Sequence, residues 1–277
     1  MEEIYADLAN GTRLRYLKRP GAGAVVVMLH GITDTADSYR PCIASIGADA
    51  CLYVLDHRGH GHSSKPDDRY TTDAYADDVR AFIPTVSDAP VLLAGHSLGG
   101  LVAVQVAATA PELVSSLLLE DPPLYFVNAI TDVYQAIFTG TIGVASSIQD
   151  GSKTRDDWFN VMKELPDPFT GEPSTMSEQQ VRERVDAVAL MKPKAMADAL
   201  DGALKWDTDA TLQRVQCPVH LLTGNPTLGA VIAEGEAARV ADVIDDLTHA
   251  HFDDVGHLLH QERPEQYAQL VTNWILH

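Results

Sequence analysis

The stretch VLLAGHSLGG, residues 91–100, constrains this chain more than any other. A short apolar run enters a single serine flanked by glycines, and Leu101 and Val102 follow with helical character. A strand that bends this sharply into a helix is crowded at the turn. Small residues are needed two positions either side of Ser97, and Gly95 and Gly99 stand there, while Gly100 lets the helix pack closely. The helix start aims free N–H groups and the positive end of its dipole at whatever bonds to Ser97. A serine that only caps the helix is the ordinary alternative, so the rest of the chain must decide.

Other apolar runs resemble this strand. They are residues 25–29 before His30-Gly31, 51–55 before DHRGHG, 117–119 before EDPP, 219–223 after Cys217-Pro218, and a further one near 250–252. Their continuous apolar character fits central strands covered on both faces. Between them, Tyr75, Val79 and Phe82 recur at helical spacing after Thr71, and a helix runs from Ser97 toward Pro111. Alternating strands and helices imply a doubly wound, mostly parallel α/β sheet. From 122 to 212 the strand signal disappears. Ser177 with Gln180 forms a capping box before Val181, Val185 and Val188, another helix starts near Pro193, and LPDPFTGEPSTM reads as a polar loop. The expected organisation is a sheet domain of residues 1–121 and 213–277, with a helical cap of 122–212 and a last helix from Pro264.

A nucleophilic serine needs a base and an acid to orient it. Of the 11 histidines, His257 stands between the last strand signal and the last helix, on a loop that can reach the sheet's carboxyl edge; His260 is the alternative. The strand ending in LLTG leads into Asn225, with no acid before Glu234. The preceding strand instead ends in Glu120 and Asp121, which point to opposite sides unless a turn has begun. Glu120 is taken first, Asp121 as the alternative, and Glu234 as a remote third.

Oxyanion donors are expected from the backbone of Ile32 and Leu98, with Gly31 permitting close approach and His30 organising the turn. Asp34, Asp37 and Tyr39 either line the pocket or cap the next helix. His57, His60 and His62 suggest a metal, but no distant third ligand stands out. A structural loop with an Asp56–Arg58 pair explains them better. His249 and His251 alternate along a strand and are expected on opposite faces. The cap offers Tyr125, Phe126, Tyr134, Ile137, Phe138, Trp158, Phe159 and Met162 as an apolar pocket roof.

A net charge of −19 disfavours nucleic acid and anionic membrane surfaces. No run approaches the ~20 apolar residues of a membrane span, and MEEIYADLANG has no secretory pattern. Cys42, Cys51 and Cys217 show no metal spacing and suit small core positions in a reducing, cytoplasmic setting.

Together His30-Gly31, DHRGHGHS, GHSLGG and Gly256-His257, in this order, resemble the α/β-hydrolase fold superfamily across the whole sheet domain. The missing acid after LLTG departs from many relatives. An acid after the preceding strand, as in LEDPP, is similar to zearalenone-type lactone hydrolases and favours Glu120. The resemblance implies a Ser–His–acid triad, an oxyanion hole at Ile32 and Leu98, no cofactor and a helical lid, and residue spacing points to no metal. The expected activity is hydrolysis of a bulky hydrophobic ester or lactone. Cleavage of a C–C bond in a diketone, or ligand binding without turnover, are the alternatives.

Overall fold

The computed structural model describes residues 1–47 and 49–276. Eight strands form one sheet: β1 (Glu2–Asp7), β2 (Arg13–Arg19), β3 (Val25–Leu29), β4 (Cys51–Leu55), β5 (Val91–His96), β6 (Val114–Glu120), β7 (Val219–Thr223) and β8 (Leu247–His251), in the spatial order 1-2-4-3-5-6-7-8. From β4 to β8 neighbours run parallel, and β2 is antiparallel to both β1 and β4. The sheet domain is thus the expected doubly wound α/β arrangement.

Period-two alternation explains why the central runs are apolar throughout. Val27, Leu29, Leu93, Leu117 and Leu119 enter one core, and Val26, Met28, Ala94 and Leu118 enter the other. The first core is closed by α2 (Thr72–Phe82) and α3 (Leu98–Thr109), the second by α1 (Arg40–Ile43) and the C-terminal helix. Burying one such Val or Leu side chain contributes roughly 1.5–3 kcal/mol. Thr71 caps α2 by accepting from the Ala74 amide, as its spacing indicates.

The hairpin β1–β2 is a finding beyond the sequence reading. Its residues are largely charged, yet Arg15 on β2 is buried and reaches Glu3 and Asp37 at 2.9 Å and Asp56 at 3.4 Å. Burial opposes the guanidinium's charge, but the hydrogen bond to Asp37, the attraction of Asp56 and the hydrogen bond to Glu3 together hold its pKa above the ordinary value.

Between β6 and β7 lie α4 (Asp132–Gln149), α5 (Arg155–Met162), α6 (Glu178–Leu190), α7 (Pro193–Leu200) and α8 (Thr208–Leu212), with one isolated antiparallel bridge between Pro166 and Pro173. The Ser177–Gln180 capping box starts α6. After β7 come α9 (Glu236–Ala241), α10 (Leu259–Glu262) and α11 (Pro264–Leu276). Among the described residues, no helix is long and apolar enough to cross a membrane.

Candidate active site

Ser97 follows β5 and precedes α3, with φ 50° and ψ −117°. A non-glycine residue holds this left-handed backbone only where its surroundings enforce it. They do so here: the Ser97 amide donates to the Glu120 carbonyl (3.0 Å), and the Ser97 carbonyl accepts from Gly100 and Leu101. A side chain at Gly99 would start 2.2 Å from the Leu29 carbonyl oxygen, so only glycine lets α3 approach β3 this closely.

One strand over, Asp121 leaves β6 with φ 39°. Its backbone amide still donates to Leu222, but the chain has already turned. The carboxylate accepts from the Val231 amide (2.8 Å) and the Ile232 amide (3.2 Å), and its Oδ2 lies 2.6 Å from His257 Nδ1. A carboxylate only accepts, so the imidazole proton sits on Nδ1 and Nε2 carries the lone pair. His257 comes from the loop between β8 and α10, and Ser97 and His257 line the same cavity of about 560 Å³.

Gly31 and Ile32 line that cavity from the turn after β3. The His57 amide donates to His30 Nε2 (3.0 Å), which leaves the ring proton on His30 Nδ1 to donate to the Gly31 carbonyl (2.7 Å). The Asp34 amide donates to the same carbonyl at 3.1 Å. Because a trans peptide opposes its C=O and N–H, these two bonds turn the Ile32 N–H the other way. Burial, reinforced by the nearby His57 and His60, pushes the His30 pKa well down and keeps the ring neutral. Leu98 is the first residue of α3, where an amide has no intrahelical acceptor.

The family model described as "Alpha/beta hydrolase family" matches residues 26–270. The chain belongs to the alpha/beta hydrolase family. The 2-(acetamidomethylene)succinate hydrolase of Mesorhizobium japonicum is 25% identical over 264 residues, spanning 94% of this chain and 90% of that protein. The N-formylmaleamate deformylase of Pseudomonas putida is 27% identical over 258 residues, spanning 91% and 88%. The fold is shared with the solved enol-lactonase of Burkholderia xenovorans, at 18% identity and TM-score 0.71 over 99% of this chain and 100% of that one.

In this alpha/beta hydrolase the acid against His257 is Asp121, and the preference for Glu120 is corrected. Glu120 is directed into the interior, where it accepts from the His260 amide (2.9 Å) and lies 2.8 and 3.0 Å from His260 Nδ1. Both residues are buried. Burial alone would lower the His260 pKa, but the attraction of Glu120 and its hydrogen bond outweigh that and hold it above the ordinary value. His260 is therefore committed to Glu120 and is not a second base facing the cavity. Glu234 is exposed. Asn225, which follows β7, accepts from the Thr227 amide and donates to the Asp253 carbonyl.

His96, which sequence reasoning passed over, donates from Nε2 to the His257 carbonyl (2.9 Å) and so fixes the loop that carries the imidazole. Burial, then repulsion from His257 and His260, keeps its pKa well below the usual range. Asp34, His96 and His260 can bring one ligand atom each within 4.8 Å of one another. The Gln261 amide nitrogen lies 3.3 Å from both Asp34 oxygens and from His260 Nε2. Gln261 thus bridges Asp34 and His260.

The expected roof is met at Phe126, Tyr134, Ile137, Phe138, Trp158 and Met162, which line the cavity. Tyr134 donates to the Gly229 carbonyl and its ring meets that of His257 at 6.5 Å, joining α4 to the loop that carries His257. Tyr125 is a correction: it donates to Asp209 (2.8 Å), lies under Arg239 and does not line the cavity. Phe159 packs under Arg182 instead. Phe169, from the polar loop, lines the cavity beside Tyr134, which loop composition gave no reason to expect. Tyr39 donates to the Leu29 carbonyl, and Asp37 pairs with Arg15 and Arg40, so neither lines the site.

The histidine-rich loop is structural, with a changed pairing. Arg58 pairs with Asp78 at 2.5 Å, while Asp56 accepts from the Ala36 and His62 amides. His249 and His251 are also corrected: both reach the Thr223 hydroxyl, at 2.8 and 2.9 Å, because residues two apart on a strand share a face, so alternation places these two rings together rather than on opposite sides.

Gly31 offers a local test. A Cβ there would lie 2.7 Å from His96 Nδ1, so Gly31→Ala must displace the imidazole or the turn bearing Ile32. The expected result is a kcat about 100-fold lower, comparable to losing an oxyanion donor. Steady-state kinetics on any turned-over ester checks this, and an unchanged kcat would contradict the role given to the turn.

Proposed function

We propose that this hydrolase cleaves a carboxylic ester or lactone of a bulky apolar substrate through an acyl-enzyme on Ser97. The carrying observation is the 2.6 Å contact of Asp121 with His257 Nδ1, beside a cavity that His257 shares with Ser97. His257 Nε2 takes the Ser97 proton as Oγ attacks the carbonyl carbon. The Ile32 and Leu98 N–H groups receive the oxyanion, each contributing on the order of 3 kcal/mol to the transition state. Collapse expels the alcohol, which takes the proton from His257. Water then gives a proton to His257 and attacks the acyl carbon, releasing the acid and restoring Ser97. Helices α4–α7 act as a lid that excludes bulk water and sets acyl size. The three free cysteines fit the reducing conditions of a cytoplasmic location.

Purified protein is expected to turn over p-nitrophenyl esters and aryl lactones, with kcat/KM rising with acyl bulk, and Ser97→Ala is expected to remove that turnover. Folded protein inactive on the whole panel would overturn the ester and lactone reading. A second reading keeps the triad but breaks a C–N bond. Two of the relatives favour it, one named for an acetamido compound and the other as a deformylase. Nitrogen is a poorer leaving group, so His257 must protonate it before it departs. N-formyl and N-acetyl enamides in the same panel separate the two.

A further inference from the structure

Helix α6 buries Val181, Val185 and Val188, and Arg184 sits on the same stripe, three residues after Val181. The side chain is half-buried and lines the cavity together with Ser97 and His257. Among the described residues its guanidinium has no hydrogen-bond acceptor, no ion-pair partner and no ring against it. Its neighbour on the helix, Arg182, pairs with Asp156 at 3.2 Å and covers Phe159. Although the chain has 39 acidic residues against 20 basic ones, no carboxylate among the described residues lies within ion-pair distance of Arg184.

Most of the wall is apolar, including Phe138, Ile137, Trp158 and Met162. The half-buried guanidinium faces the open cavity, so its N–H donors are free to meet a ligand's acceptor there. Among the described residues Asp167 is the one carboxylate in the wall, and its Oδ1 accepts from the Phe169 and Thr170 amides and the Thr170 hydroxyl, which turns it into its own loop.

We propose that Arg184 is an anion subsite and that the substrate carries a carboxylate, separated from the bond broken at Ser97 by an apolar body. One planar guanidinium, with no lysine or second arginine in the wall, matches one carboxylate through two parallel N–H···O bonds. A phosphate dianion would call for further donors. The net charge of −19 repels anions at a distance, so this local pairing has to supply the selectivity. The substrate class rests on the serine-hydrolase reading above, whereas the subsite itself does not.

The test compares p-nitrophenyl monoesters of glutaric, adipic and suberic acids with p-nitrophenyl esters of monocarboxylic acids of matched length. The wild-type protein is expected to favour the carboxylated member at one length by at least about tenfold in kcat/KM, mainly through KM. In Arg184→Gln that ratio falls by about tenfold or more, and Arg184→Lys recovers part of it. A ratio unchanged from wild type to Arg184→Gln overturns the proposal. If no ester is turned over, the hydrolase reading fails by itself, and calorimetric titration of the full chain with 4-phenylbutyrate and 4-phenylbutanol decides the subsite. Tighter binding of the acid, lost in Arg184→Gln, supports it. Equal affinity of the wild-type protein for acid and alcohol overturns it, whatever the variants do.

Discussion

Asp121→Asn is expected to lower kcat by about four orders of magnitude with the protein still folded. The Asp121 carboxylate accepts the Nδ1 proton of His257 at 2.6 Å and is itself held by the Val231 and Ile232 amides. An amide at this position can present its NH₂ to Nδ1 and force the ring proton onto Nε2. The lone pair that must take the Ser97 proton is then gone. Steady-state kinetics and a melting curve on the same sample check this, and a loss smaller than about tenfold would contradict the assignment of the acid.

Glu120→Gln is expected to act on the fold instead. Glu120 and His260 form an ion pair with side chains 1% and 0% exposed. Removing one charge from a buried pair typically costs about 3–5 kcal/mol because the other is left uncompensated. For a chain of this size that corresponds to a melting temperature lower by roughly 6–20 °C. The sign with pH follows from the raised His260 pKa. In the wild-type protein this group's stabilising contribution is fully present below pH 6.5, its ordinary value, and is lost as pH rises through the raised folded value. Thermal melts of wild type and Glu120→Gln should therefore differ most on the acidic side and converge as the pH is raised. A variant with wild-type melting and a kcat lower by four orders of magnitude would reverse the roles given to Glu120 and Asp121.

These two neighbours mark how far the sequence could be read. Strand alternation says that Glu120 and Asp121 face opposite ways, but which of them faces His257 depends on where β6 ends. The backbone turns at Asp121, with φ 39°, and one residue of turn exchanges the two roles. The central strands were legible because both faces are covered, so nearly every position is apolar. The β1–β2 hairpin was not, since its buried Arg15 is compensated by acids distant in sequence. Ser97 was legible because its turn admits only small neighbours.

The cap was legible in outline only. Aromatic residues there compete for cavity and packing positions, and Tyr125 went to Asp209 and Arg239 while Phe169 entered the cavity wall. Arg184 did leave a signal, a charge on the apolar stripe of Val181, Val185 and Val188, which helical spacing alone can detect.

Mass-spectrometric peptide mapping after brief exposure to a fluorophosphonate tests the central claim most directly, because the reagent bonds only to a serine whose proton can be taken. The account predicts a single adduct on Ser97, formed far more slowly in Asp121→Asn and absent in Ser97→Ala. Folded protein that stays unlabelled, or that labels as fast in Asp121→Asn as in wild type, would contradict it.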